Sequence, residues 1–124
     1  MPTTVVTGSA SGIGAAVCRH LQAAGQRVIG IDRAQADIVA DLSTASGRQA
    51  AVAAAIDACG GVLDGLVCCA GVGVTAPSSG LIVSVNYYGM STLVDGLADC
   101  LQKGDRPAVL LVGSVAAVQP GVEQ

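Results

Sequence analysis

Short apolar runs alternate along this chain with longer segments whose apolar residues recur at helical spacing. The runs are typical of buried β-strands and the longer segments of amphipathic helices. The predicted strands are residues 3–7, 27–32, 37–41, 65–70 and 107–113, and the predicted helices are residues 13–24, 44–58 and 79–102. Strands that alternate with helices favour a doubly wound parallel α/β sheet of the Rossmann type.

For three of these elements the sequence also bears on length, N-cap or continuity. Only about five residues separate Asp32 from Ile38, whereas a parallel crossover normally needs a dozen or more, so strand 37–41 is expected to be short or incomplete. Helix 44–58 is expected to begin after Ser43 as its N-cap. Gly89 and Gly96 interrupt helix 79–102, which otherwise keeps one apolar face.

The charge distribution excludes several classes of protein. The 124 residues are 52% hydrophobic and 12% charged, and no charged residue occurs from Gly65 to Val94. Glycines and a proline interrupt that stretch, so it is interpreted as elements buried on both faces rather than as a membrane span. A net charge of −3 with scattered basic residues offers no nucleic-acid patch. The N-terminus lacks a signal-peptide pattern, which favours a cytoplasmic protein.

The cysteines do not predict a metal site. They stand at 18, 59, 68, 69 and 100 without a C-x-x-C pair, and His20 is the only histidine. An odd number without a secretory signal indicates reduced thiols. Cys68 and Cys69 are neighbours in a predicted strand, so we expect them on opposite faces as small buried hydrophobes.

The strongest chemical signal is a glycine turn between strand 3–7 and helix 13–24. Such a turn can hold a dinucleotide pyrophosphate on the backbone N–H groups of a helix N-terminus. Gly8 permits the tight turn, Gly12 lets phosphates approach, and Gly14 lets the helix pack on the strand. An ordinary strand–turn–helix is the alternative. The expected cofactor contacts in this turn are Gly8, Ser9, Ser11, Gly12, Ile13 and Gly14.

Asp32, at the end of the second predicted strand, bears on the choice of cofactor. A carboxylate about 20 residues after the glycines can accept a hydrogen bond from the ribose 2′-hydroxyl of NAD. It also repels the 2′-phosphate of NADP. Arg33 is the competing signal, since a guanidinium can pair with that phosphate, although it is equally consistent with a solvated loop residue. We therefore predict NAD as the cofactor, with Asp32 and Arg33 beside its ribose.

These motifs resemble those of the short-chain dehydrogenase/reductase family. Thr7–Gly14 reads T-G-x-x-x-G-x-G, which is that family's pattern. Asp41-Leu42 matches its acidic–aliphatic pair, which implies an adenine contact, although Asp41 is also placed to support the start of helix 44–58. Ala70-Gly71 match the end of the family's N-N-A-G segment, and Cys68-Cys69 replace both asparagines. The resemblance thus adds Asp41, Leu42, Ala70 and Gly71 to the expected cofactor contacts.

Two further polar residues resemble catalytic groups of that family. Asn86 matches a helix asparagine that holds a water of the proton relay, although it is also placed to satisfy a helix carbonyl. Ser114 follows the fifth predicted strand, as the catalytic serine does, and would polarise the substrate oxygen. The resemblance implies NAD(H)-linked hydride transfer with a small carbonyl or alcohol substrate.

Several phrases, such as Val83-Ser84-Val85-Asn86-Tyr87, resemble a bacterial branch of the family that acts on steroid 3-hydroxyl or 3-ketone groups. Assembly into a homo-oligomer is a further expectation. The substrate itself is left open by these residues.

The family's Tyr-x-x-x-Lys pair has no counterpart in these 124 residues. Neither tyrosine has a lysine four residues later, and Lys103, the only lysine, follows Asp99 at that spacing. In the family this pair lies beyond the serine strand, so here it would lie past Gln124. We therefore expect residues 1–124 to be an NAD-binding domain that is incomplete at its C-terminus and inactive alone. The alternative is a non-catalytic binding module that a partner chain completes.

A sheet cut off after its fifth strand would leave strand 107–113 as an exposed apolar edge. Such edges pair with other chains, so the chain alone is expected to self-associate.

Overall fold

The computed structural model describes residues 1–71 and 78–113 and forms one parallel sheet with flanking helices. The strands are Thr3–Thr7 (β1), Arg27–Asp32 (β2), Ile38–Val39 (β3), Gly65–Cys68 (β4) and Ala108–Leu111 (β5). The helices are Gly12–Ala23 (α1), Ala45–Cys59 (α2), Ser79–Val83 (α3) and Met90–Gln102 (α4), with a π-helical segment, Ser84–Gly89, between α3 and α4.

The strand order confirms the doubly wound prediction. The sheet runs β3-β2-β1-β4-β5, and every neighbouring pair is parallel. Connections between parallel strands are right-handed, so α1, which leads to β2, lies on the opposite face from α2 and α4, which lead toward β5. Successive strands are therefore added to one side of β1 up to β3 and to its other side from β4 onward, so the strand order reverses between β1 and β4. In open α/β sheets, ligands bind at this point, beyond the carboxyl ends of the strands.

The larger core lies between the sheet and the helices α2 and α4. Val5 of β1 and Leu93 and Leu97 of α4 are fully buried in one cluster, to which α1 contributes no residue. Burial of a leucine side chain contributes roughly 1.5–3 kcal/mol. A Cβ at Gly96 would lie 2.6 Å from Val52 Cγ1, so the missing side chain allows α4 to pack closely on α2.

The third strand is short, as its short connection predicts, and it covers only part of the predicted range 37–41. It comprises two residues, paired with Ile31 and Asp32 of β2. Ahead of this pairing, Asp37 Oδ2 accepts a hydrogen bond of 2.8 Å from the backbone N–H of Gly30. A carboxylate thus satisfies a donor of β2 that a longer third strand would have satisfied. The short connection after Asp32 accounts for the difference, because it leaves no length for a full crossover.

The helix predicted over 79–102 has those bounds, since the chain is helical without a break from Ser79 to Gln102. The unpredicted feature is the π-helical segment that separates α3 from α4 within it. The N-cap of α2 is Thr44 rather than Ser43, because Thr44 Oγ1 accepts a 3.0 Å hydrogen bond from Gly47 N–H. Within the described parts of the chain, no helix has the length and hydropathy needed to cross a membrane.

β5 forms an edge of the described sheet and all four of its residues are exposed. Val109 is 45% exposed, Leu110 57% and Leu111 49%, so both faces of the strand offer apolar surface. An edge strand without charges is a template for pairing with another chain.

We expect the 124-residue chain to self-associate through β5. Replacement Leu110→Lys should shift it toward monomer in sedimentation velocity, because a charge on an edge strand opposes pairing. Ile56→Lys, at a site of α2 that is 38% exposed, is the control and should not change the distribution. A wild-type chain that sediments as a monodisperse monomer would contradict this expectation.

Candidate functional site

A cleft of about 440 Å³ opens beyond the carboxyl ends of β1, β2 and β4. Its size is within the range of small-molecule sites. Every residue predicted to contact a cofactor lines it except Ser9. The lining residues are Gly8, Ser11, Gly12, Ile13, Gly14, Ile31, Asp32, Arg33, Ala40, Asp41, Leu42, Ser43, Cys69, Ala70, Gly71, Leu81 and Val85.

The floor of the cleft is the glycine turn, where backbone packs on backbone. A Cβ at Gly14 would overlap the carbonyl oxygen of Gly8, and a Cβ at Gly8 would lie 2.8 Å from the Ala70 nitrogen. Gly8 also has φ +70° and Gly12 φ +57°, which disfavour other residues. A Cβ at Gly12 would meet nothing described within 4 Å, so this position faces open space. The turn therefore leaves room for a ligand to approach its backbone.

The first turn of α1 is suited to an anion. Ser11 is its N-cap but makes no side-chain capping bond with the described residues, and that turn contains no acidic residue. The first N–H groups of a helix have no intrahelical acceptors and carry the positive end of its dipole. A phosphate or pyrophosphate at this end would receive those N–H groups.

Asp32 joins the end of β2 to the glycine turn. Its Oδ2 accepts a 2.9 Å hydrogen bond from Ala10 N–H, and its Oδ1 accepts one of 2.7 Å from Arg33 N–H. These bonds hold the carboxylate at the cleft wall. Each carboxylate oxygen has a second lone pair, so Asp32 can still accept from a ligand hydroxyl. Arg33 lines the cleft beside it and is exposed.

Thr7 is a residue whose role the sequence did not reveal. Its Oγ1 accepts hydrogen bonds of 3.1 Å from both Cys69 N–H and Ala70 N–H, and the residue is only 2% exposed. These bonds attach the loop after β4 to the end of β1 and so position Ala70-Gly71 along the cleft. In the sequence, Thr7 is simply a hydroxyl residue at the last position of an apolar strand. Such residues are too common for this one to predict a contact with the loop after β4.

Asp41 serves the turn before α2 as well as the cleft wall. Its Oδ1 accepts hydrogen bonds from Ser43 Oγ at 2.6 Å and from Ser43 N–H at 2.9 Å. These two bonds lower the pKa of the Asp41 carboxyl below its usual value. Leu42 is buried beside it. Asp41 therefore supports the turn before α2, as one of its two interpretations expected, and it also lines the cleft.

Two of the predicted site residues, Ser9 and Asn86, are not among the residues that line the cleft. Ser9 departs from the prediction because its Oγ is buried near Gly30, without a hydrogen-bond partner in the described parts of the chain, and lies outside the cleft. Asn86 lies in the π-helical segment, with its Oδ1 3.2 Å from where a Cβ of Gly71 would be. It therefore borders the cleft at Gly71. Ser114 lies outside the described residues.

Of the two adjacent cysteines, Cys68 is buried in β4 as predicted, whereas Cys69 lies just beyond that strand and is not fully buried. Cys68 belongs to the core cluster, whereas Cys69 is partly buried and lines the cleft. Burial raises the pKa of Cys68 to about 11 and raises that of Cys69 as well, so both thiols are protonated at neutral pH. No group of three potential metal ligands occurs in residues 1–71 and 78–113.

Comparison with known proteins identifies relatives over almost the whole chain. The model of the short chain dehydrogenase family matches residues 2–124. The 3-alpha-hydroxysteroid dehydrogenase/carbonyl reductase of Comamonas testosteroni is 45% identical over 117 residues, which are 94% of this chain and 46% of that protein. The coniferyl-alcohol dehydrogenase of Pseudomonas sp. strain HR199 is 36% identical over 121 residues, 93% of this chain and 45% of that protein.

A solved structure is also similar to this chain over almost its whole length. The crystal structure of the 3-alpha-hydroxysteroid dehydrogenase from Pseudomonas sp. B-0831, complexed with NADH, superposes with a TM-score of 0.94 at 66% identity. The match covers 96% of this chain and 47% of that one. The chain thus spans about half the length of each of these three relatives.

We expect Thr7→Val to lower the free energy of unfolding by about 1 kcal/mol, because it leaves the partly buried Ala70 N–H without its acceptor. Thr7→Ser keeps the hydroxyl and should lose much less. Urea denaturation followed by circular dichroism gives both values. Equal losses for the two variants would show that the hydroxyl does not hold the loop.

We expect Ser43→Ala to raise the pKa of Asp41, since it removes the shorter of two hydrogen bonds to the carboxylate. A carboxyl whose pKa is lowered by folding stabilises the protein above its unfolded pKa, and this contribution disappears as the pH falls through the folded pKa. The variant should therefore be less stable than wild type at neutral pH and should approach it in acid. Carbon-13 NMR titration of Asp41 measures the pKa, with exposed Ser46→Ala as the control. An unchanged pKa would contradict the assignment.

Proposed function

Because this chain belongs to the short-chain dehydrogenase family, we propose that it binds NAD(H) and forms the cofactor-binding part of an oxidoreductase. The observation that carries the proposal is the coincidence of the glycine turn, the α1 N-terminus and Asp32 in one cleft. The NADH complex of the 66% identical dehydrogenase supports it. On this proposal residues 1–124 act as one nucleotide-binding unit.

Each wall of the cleft suits one part of a dinucleotide. The turn at Gly12 and the first N–H groups of α1 would hold the pyrophosphate. Asp32 would accept from the adenosine ribose, and its charge would disfavour the additional phosphate of NADP. Leu42, beside Asp41, offers an apolar contact for adenine. Ala70-Gly71, held by the Thr7 hydroxyl, would border the nicotinamide side.

The reaction we propose is hydride transfer between the nicotinamide and a small secondary alcohol or ketone. When bound, the nicotinamide supplies the hydride donor or acceptor. Asn86 would hold a water molecule in the path of the proton, and its place beside Gly71 at the cleft border supports that role. Ser114 would donate a hydrogen bond to the substrate oxygen. These two assignments derive from the resemblance to the family.

A steroid 3-hydroxyl or 3-ketone is the proposed substrate class. Two of the relatives compared above are 3-alpha-hydroxysteroid dehydrogenases. The family's Tyr-x-x-x-Lys pair, which supplies the proton donor, does not occur in these 124 residues. We therefore propose that the 124-residue chain binds the cofactor without turning over substrate.

We expect NADH titrated into the 124-residue chain to change the nicotinamide fluorescence with saturation. Asp32→Ala should weaken NADH binding at least about tenfold, since a hydrogen bond to a charged group is lost. The same variant should reduce the preference for NADH over NADPH. Asp57→Ala, on an exposed site of α2, is the matched control and should bind as wild type.

Two results would overturn the proposal. One is an unchanged fluorescence up to millimolar NADH in a chain whose circular dichroism shows it to be folded. The other is an Asp32→Ala variant that binds NADH as tightly as wild type, which would place the nucleotide elsewhere.

A further inference from the structure

Arg48 connects two segments that are distant in sequence. From α2, its Nη1 donates a 3.1 Å hydrogen bond to the carbonyl oxygen of Leu42 and makes a longer, 3.5 Å contact with that of Ser84. Its guanidinium carbon lies 5.7 Å from the centre of the Tyr88 ring, within the range of a cation–π interaction. One half-buried side chain thus contacts the cleft wall and both ends of the π-helical segment.

A second contact joins the same two segments. A Cβ at Gly89 would lie 3.5 Å from the Leu42 Cβ, so the end of the π-helical segment rests on Leu42 with no side chain between them. π-Helical turns interrupt the regular hydrogen-bond ladder and often occur at functional sites. The Arg48 donor reaches Ser84 O at the start of this turn.

We propose that Arg48 is a positioning residue that couples the adenine end of the cleft to the segment carrying Asn86. Leu42 lines the cleft and the π-helical segment borders it at Gly71, so a ligand that fixes Leu42 also biases Asn86 through the guanidinium. This inference rests on the proposed function, because it assumes that adenine binds at Leu42.

The chemistry of the side chain suits this role. A guanidinium is a planar group that directs several N–H donors at once and also stacks on aromatic rings. Lysine offers a compact point charge in the same place. Arg48→Lys should therefore keep only part of the connection, and Arg48→Met should remove it while retaining the apolar stem.

Hydrogen exchange of the ligand-free chain tests the connection itself. In Arg48→Met, the amides of residues 84–90 should exchange about fivefold faster than in wild type, the effect expected from one lost hydrogen bond. Arg48→Lys should lie between the two. Amides of β1 and β4 should not change, which separates this effect from a general loss of stability. Arg19→Met, at an exposed site of α1, is the control.

AMP tests the coupling, because it supplies the adenine end of the ligand without a nicotinamide. It should slow exchange over residues 84–90 in wild type, and much less in Arg48→Met at the same saturation. Equal ligand-free exchange in wild type and Arg48→Met would overturn the connection. If AMP protects the amides of residues 84–90 equally in wild type and in Arg48→Met, the coupling is overturned. If neither AMP nor NADH binds wild type, the proposed function and the coupling both fail, while the ligand-free comparison still decides the connection.

Discussion

The structure depends on a close approach of backbone to backbone at the junction of β1 and α1. Gly14 leaves no room for a side chain against Gly8 O, and Gly8 in turn lies against the backbone of Ala70. Any side chain at either position would separate α1 from the sheet or move the loop after β4. The hydrogen bonds of Asp32 to Ala10 and of Thr7 to Ala70 both depend on this packing. Small residues therefore allow three backbone segments to meet around the cleft: the glycine turn, the end of β2 and the loop after β4.

The elements that could be predicted from the sequence are those whose signals are local. β1, β2 and the glycine turn are each encoded by a few consecutive residues, and their observed positions agree with the predictions. The short β3 follows from the short connection before it, and its Asp37–Gly30 hydrogen bond joins residues only seven positions apart. The π-helical turn inside the helix after residue 78 has a partner farther away, because Arg48 contacts Ser84 from another helix, 36 residues earlier in the sequence. No short window of sequence contains both of these residues.

The same distinction applies to the candidate site. Spacing located Asp32 and the glycines, because a nucleotide requires those residue types at that distance. It did not show which hydroxyls face the cleft. Ser9 Oγ is buried outside the cleft. Thr7 Oγ1, in contrast, accepts the N–H groups of Cys69 and Ala70 and so positions the loop after β4 along the cleft. Side-chain direction within a turn is set by tertiary packing, which the pattern of residue types does not encode.

We infer that the cleft beyond β1, β2 and β4 receives a dinucleotide. Proton–nitrogen NMR spectra of the labelled chain during NADH addition test it residue by residue. We expect saturable shifts at the amides of Gly12–Gly14, Asp32 and Ala70-Gly71, with β5 unaffected. Shifts that are absent at these amides, or that concentrate at the β5 edge, would contradict it.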